Sequence, residues 1–142
     1  MRDGVPAQGL ISVLVVDDHP VLRWGLTAVL EESGVARVVG EAADGRAAVT
    51  ACMTLRPDVV VMDLGMPDVD GVEATVRIRQ ACPRSVVVVL TAERRRVRAQ
   101  DALAAGAFAV VSKGSQASTL LRAVQAAAAH GASLAEARAA SS

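Results

Sequence analysis

A chain of 142 residues with 15 basic and 15 acidic side chains has one domain's length, and its formal net charge of +0 supplies no general electrostatic drive toward nucleic acid or anionic membrane. Hydrophobic residues make up 52%, yet Trp24 and Phe108 are the whole aromatic complement, so the core must be built from small aliphatic side chains, and no apolar run approaches a membrane span. Cys52 and Cys82 lack metal-ligand spacing and secretory context and read as small buried hydrophobes, while the first ten residues lack the apolar stretch of a signal peptide, so a cytoplasmic protein is expected.

After a disordered or extended segment at 1–10, "ISVLVV" at 11–16 reads as the first strand. A helix follows from Pro20 to about Ser33, with Pro in its first turn, Leu22, Leu26, Val29 and Leu30 on one face, and Gly34 as its stop. "ARVVGEA" at 36–42 is the second strand, and a helix over 45–55 carries Ala47, Ala48, Val49 and Met53 before Pro57. "DVVVM" at 58–62 leads to a helix over 71–81 with Val72, Val76 and Ile78, ended ahead of Pro83. "SVVVVL" at 85–90 precedes a helix over about 97–105 that stops at Gly106. "AFAVV" at 107–111 precedes a helix over 118–130 with Leu120, Leu121 and Val124, closed by Gly131. Residues 132–142, small and polar, read as a frayed tail or the start of a linker, leaving 11–131 as the domain. Continuous β-branched runs suit strands buried on both faces, and five β-α alternations imply an α/β fold with helices on both faces of a parallel sheet.

Ligands of such sheets bind beyond the carboxyl ends of the strands. There the chain places Asp17 and Asp18 after the first strand, Asp63 after the third, Thr91 after the fourth and Lys113 after the fifth. Singly, these residues have plainer uses: Asp18 can cap a helix, Asp63 can open the turn "LGMPDVDG", and Thr91 can bond locally. Those uses leave the recurrence of one strand end unexplained. Three carboxylates brought together repel unless a cation joins them, and a hard, partly hydrated Mg²⁺ is the usual solution, with Mn²⁺ as a substitute. With the charge neutralised, an Asp carboxylate can act as nucleophile toward a phosphoryl group, and Thr91 and Lys113 can supply donors to its oxygens. Lys113 is the single lysine beside 14 arginines, at a position where a compact, mobile ammonium differs from a rigid fork.

The stretches "VLVVDDHPVLRWGL", "DVVVMDLGMPDVDGVE", "VVVLTA" and "AGAFAVVSK" together resemble the receiver domain of two-component response regulators, over roughly residues 11–130, and the opening "DDHPVLRWGL" is most similar to receivers that precede a LuxR-type (NarL-type) helix-turn-helix domain. The resemblance implies a flavodoxin-like (βα)5 fold, a three-layer doubly wound sheet in strand order 2-1-3-4-5. It implies that Asp63 accepts the phosphoryl group, that Asp17, Asp18, Asp63 and the carbonyl of Gly65 serve the metal, and that Thr91 and Lys113 form the switch pair. Pro67 and Gly71 match the turn after the third strand, and Gly65 and Glu93 match positions that tune dephosphorylation. A sensor histidine kinase is the implied partner. A homodimer through the α4-β5-α5 or α1/α5 surface is a further expectation, and DNA is expected only through a C-terminal output domain. The implied protein is a signalling switch and not a turnover enzyme.

Val110 stands where the family usually has Tyr or Phe, three residues before the lysine, which puts the usual aromatic readout in doubt. Phe108 is expected to pack locally instead. Trp24, opposite the apolar face of the first helix, points toward solvent or a partner. "ERRRVR" at 93–98 reads as a solvated face whose arginines oppose the helix dipole, predicting a loosely held fourth helix. Two other readings use the same residues. A haloacid-dehalogenase-type phosphohydrolase needs an Asp two residues after the nucleophile, where this chain has Gly65. A degenerate receiver serving as a constitutive dimerisation module is suggested by Val110 alone.

Overall fold

The structure, a computed structural model, describes residues 9–66, 69–92 and 96–141. Pro67 and Glu93, and the part of the arginine run at 94–95, lie outside the described residues.

Val-rich runs form a five-stranded parallel sheet: β1 (Ile11–Val16), β2 (Ala36–Ala42), β3 (Val59–Asp63), β4 (Val86–Thr91) and β5 (Ala109–Ser112), in the order β2-β1-β3-β4-β5. Five helices alternate with them: α1 (Pro20–Glu32), α2 (Gly45–Leu55), α3 (Gly71–Ala81), α4 (Arg96–Ala104) and α5 (Ala117–Ser141). The expected α/β class and strand order are the observed ones, and strand limits differ from the sequence reading by at most two residues at the ends.

Every residue of β3 and β4 is buried, because side chains of a central strand alternate between two covered faces. On one face Leu14, Val16, Val60, Met62, Val87 and Val89 pack with Ala48 and Cys52 of α2, Ala74 and Ile78 of α3, and Ala102 of α4. On the other, Val13, Val15, Val59, Val61, Val88 and Leu90 pack with Leu30 of α1 and Leu120, Val124 and Ala127 of α5. Three layers result, with α2, α3 and α4 on one side and α1 and α5 on the other. Cys52 and Cys82 belong to the first of these cores, and burial pushes the Cys52 thiol up to about 12.

Two of the glycines at close approaches bear on the site and on the end of α5. A Cβ on Gly71 would stand 2.7 Å from both the Asp63 carbonyl oxygen and Leu64 Cα, so the start of α3 lies directly against the end of β3. Asp70 caps that helix, its side chain accepting from the amides of Val72 and Glu73.

The second glycine corrects the expected end of α5. Gly131 does not stop the helix, which continues to Ser141, so residues 132–141 are helical and not a frayed tail. A Cβ at Gly131 would lie 3.1 Å from Val86 Cγ2 and 3.5 Å from the Arg84 carbonyl oxygen. The residue is small because the helix passes closely over the start of β4, and the alanine-rich sequence beyond it sustains the helix.

A second correction concerns α1. Leu22 is exposed although the periodic pattern placed it on the buried face; Leu26 and Val29 are half-buried and Leu30 is fully buried. The stripe sinks into the core only toward the carboxyl end of the helix, and nearer its start its residues line a groove shared with the beginning of α5.

Candidate functional site

The carboxyl ends of β1, β3, β4 and β5 converge on one edge of the sheet. Parallel pairing sets Asp63 beside Leu90 and Thr91 beside Ser112, and the Lys113 amide donates to the Thr91 carbonyl at 2.9 Å. The register alone therefore brings the third, fourth and fifth strand ends together, and the β1–β3 pairing adds Asp17 and Asp18 just past Val16.

Asp63 is 2% exposed and Asp17 1% exposed. The Lys113 ammonium lies 2.9 Å from Asp63 Oδ1, and the Gly65 amide donates to the same oxygen at 3.2 Å. Lys113 is the group that makes a buried Asp63 charge tolerable, since an uncompensated carboxylate there would lose its hydration without return. Asp17 Oδ1 accepts from the His19 amide at 2.8 Å and lies 3.2 Å from His19 Nδ1.

Asp18 Oδ1 is different. Among the described residues it is the one buried side-chain oxygen or nitrogen that makes no hydrogen bond; His19 Nδ1 is 3.1 Å away but without hydrogen-bond geometry. Buried polar atoms are rarely left so, and a missing ion is a standard reason. One ligand atom each from Asp17, Asp18, His19 and Asp63 lie within 4.8 Å of one another. An all-oxygen set from the three aspartates, with one oxygen unpartnered, fits a hard divalent cation such as Mg²⁺.

Thr91 is buried, and its hydroxyl donates to the Ala92 carbonyl at 3.0 Å. The hydroxyl is thus turned onto the first residue of the β4–α4 connection, and that bond has to break for it to donate to anything bound at Asp63.

Three contributors were not read from sequence. Arg23 Nη1 donates to the Asp17 carbonyl at 2.8 Å while its Nε donates to Glu41 Oε1 at 2.9 Å, tying α1, the end of β1 and the edge strand together. Glu41, near the end of the edge strand β2, holds that arginine. His19 joins the acidic group through its position directly after the aspartate pair. The sequence hint for Arg23 was its place one turn after His19, but its pairing with Glu41 crosses from helix to strand and has no local signature.

Val110 pairs with Val89 in the sheet and is half-buried against the α2–α3–α4 core. Phe108 stacks on His130 with ring centroids 4.9 Å apart and its amide bonds to the Val87 carbonyl, at the end of β5 remote from Lys113. Phe108 packs locally, as expected, and does not take the place of the missing aromatic. Near the site, a groove of about 350 Å³ between α1 and α5 is lined by Asp17, Val21, Leu22, Leu26, Lys113 and Leu120, among others. Beside it, Val21 and Trp24 are 75% and 73% exposed.

Comparison with known proteins agrees with this geometry. Residues 13–125 match the family described as response regulator receiver domain. The response regulator protein VraR of Staphylococcus epidermidis is 40% identical over 115 residues, covering 81% of this chain and 55% of that protein, so the chain spans about half the length of the curated relatives it matches. The signal receiver domain of the putative response regulator NarL from Mycobacterium tuberculosis superimposes with a TM-score of 0.79 at 34% identity, covering 84% of this chain and 96% of that one. A two-component response regulator of the LuxR family from Aurantimonas sp. SI85-9A1 superimposes with a TM-score of 0.80 at 36% identity, covering 85% and 86%.

Proposed function

This chain belongs to the response regulator receiver domain family, of the kind found in LuxR/NarL-type regulators, and on that premise we propose that Asp63 accepts a phosphoryl group from a sensor histidine kinase. The observation that carries the reading is the unpartnered, buried Asp18 Oδ1 beside Asp17 and Asp63, with Lys113 already on the acceptor oxygen. Asp17, Asp18 and Asp63, with the Gly65 carbonyl, would hold Mg²⁺. When bound there, the ion would supply charge neutralisation for the acceptor carboxylate and the phosphoryl group.

An Asp63 oxygen attacks phosphorus, the P–N bond to the donor imidazole breaks, and the imidazole leaves with the electron pair and takes up a proton. Lys113 is then released from the Asp63 carboxylate to pair with a phosphoryl oxygen. The Thr91 hydroxyl leaves the Ala92 carbonyl to donate to another. The product is a switch state read out at the α4-β5-α5 surface, and the activity is stoichiometric phosphoacceptance, not turnover. The exposed Val21, Leu22 and Trp24 at the start of α1 border the site and supply the apolar docking contacts for the kinase's phosphohistidine helix. Regulation of transcription follows through an output domain, with DNA contacted by that domain and not by this neutral one.

Incubation with a small-molecule phosphodonor and Mg²⁺, read by intact mass, tests the proposal. One phosphoryl adduct is expected on the wild type and none on Asp63→Ala. Absence of the adduct on wild type supports the constitutive dimerisation module instead, and continuous phosphate release at many turnovers supports the phosphohydrolase. Gly65, where a phosphohydrolase needs its second Asp, argues against the last.

A further inference from the structure

The carboxylate of Asp70 serves two helices. Its Oδ1 accepts from the amides of Val72 and Glu73, both at 3.0 Å, capping α3, while its Oδ2 pairs with Arg98 Nη2 in the first turn of α4. The capped end of α3 is the part fixed against Asp63, through the Gly71 amide bonded to the Leu64 carbonyl at 3.2 Å and the absence of a Cβ at Gly71.

By contrast, α4 lies against α3, β4 and β5 with few of its described side chains buried. Ala102 is its one buried residue among the described side chains, and Leu103 on the next position is exposed. The connection leading into α4 begins at Ala92, whose carbonyl accepts the Thr91 hydroxyl. So Thr91 acts at the start of the connection that precedes α4, and Arg98 ties α4 itself to the α3 cap at Asp70.

We propose that the Arg98–Asp70 ion pair is a latch that holds α4 in its unphosphorylated position, opposing the rearrangement that Thr91 must make to reach a phosphoryl group on Asp63. The proposal rests on the phosphoacceptor reading. The pair is 36% and 35% exposed, so its strength is that of a partly solvated ion pair. A pair of that strength changes a two-state ratio by about two- to fivefold, enough to set the resting balance of a switch without deciding whether the domain folds. It also explains why a helix whose arginine-rich start opposes its dipole carries an arginine at position 98: the charge is answered by a carboxylate of the neighbouring helix.

The test is the affinity of the chain for beryllofluoride with Mg²⁺, a phosphoryl mimic, in wild type, Arg98→Gln, Asp70→Asn and the double variant. Asn is as good a helix cap as Asp, so Asp70→Asn removes the pair and keeps α3 intact. Each single variant is expected to bind about two- to fivefold more tightly than wild type. The double variant should gain no more than either single, because both remove one interaction. In the metal-free chain, amide exchange over Arg96–Ala104 should quicken in all three variants. Unchanged or weaker beryllofluoride binding in either single variant, or additive gains in the double, overturns the latch. Failure of wild type to bind beryllofluoride at all overturns the phosphoacceptor reading and the latch with it, so the two failures are told apart.

Discussion

Lys113 reaches Asp63 at 2.9 Å while its own amide is anchored on the Thr91 carbonyl, so backbone pairing fixes the stem and leaves the ammonium free to follow an oxygen. Arginine would keep the charge but present a planar fork that cannot track the same displacement. Lys113→Arg is therefore expected to weaken the phosphorylation-dependent switch by about tenfold, the worth of a charge-assisted hydrogen bond of 1–2 kcal/mol. Amide chemical shifts in β4 and β5 with and without the adduct would measure it, and wild-type switching in the variant counts against the role. The sequence exposed these residues because each is a polar group directly after an apolar run. It hid Arg23 and Glu41 because their pairing depends on how α1 lies over the sheet. The Cys52 thiol yields a second prediction at this scale. Its pKa rises from 9.0 to about 12 through burial, so the folded state favours the neutral thiol. The unfolded chain ionises first, so this contribution is whole below pH 9 and declines between there and about 12. Denaturation midpoints across that range should fall more in wild type than in Cys52→Ala, and native Cys52 should resist alkylation until the chain unfolds.

At the scale of elements, helix and strand identities were legible because periodicity and β-branched runs are local properties. The points that escaped were tertiary. Gly131 looks like a helix stop in one dimension and is a point of close approach to β4 in three. Leu22 belongs to an amphipathic stripe, yet the groove beside α5 leaves it exposed. Gly71 and Gly131 differ in what an added Cβ would touch. At Gly71 the neighbours of an added Cβ are backbone atoms of Asp63 and Leu64, which can yield only by moving the acceptor strand. Gly71→Ala is expected to cost about 1–3 kcal/mol in urea unfolding and to lower the yield of the Asp63 adduct. At Gly131 the nearest atom is a Val86 methyl, and the gain in helix propensity of up to ~1 kcal/mol offsets the contact. Gly131→Ala should thus leave stability within about 1 kcal/mol of wild type. If the two substitutions cost the same, the close approach of α3 to β3 is not what Gly71 is for.

For the whole molecule, the parallel sheet is the device that makes the site. Five strands run in one direction, so every strand end that bears a polar group faces the same edge, and a single register places Asp17, Asp18, Asp63, Thr91 and Lys113 together. Asp63 ends the central strand of the sheet, and the elements around it divide into an α1 side with exposed apolar side chains and an α4 side with the proposed polar latch. With Val110 where the family usually has an aromatic, the proposed latch makes α4 the element through which the switch would be read. The central claim is that Asp63 becomes an aspartyl phosphate. Borohydride reduction after treatment with a phosphodonor and Mg²⁺ converts an acyl phosphate to an alcohol, and peptide mass spectrometry then locates it. Homoserine at position 63, dependent on both phosphodonor and Mg²⁺, is the predicted result; reduction at any other aspartate, or at none, would contradict it.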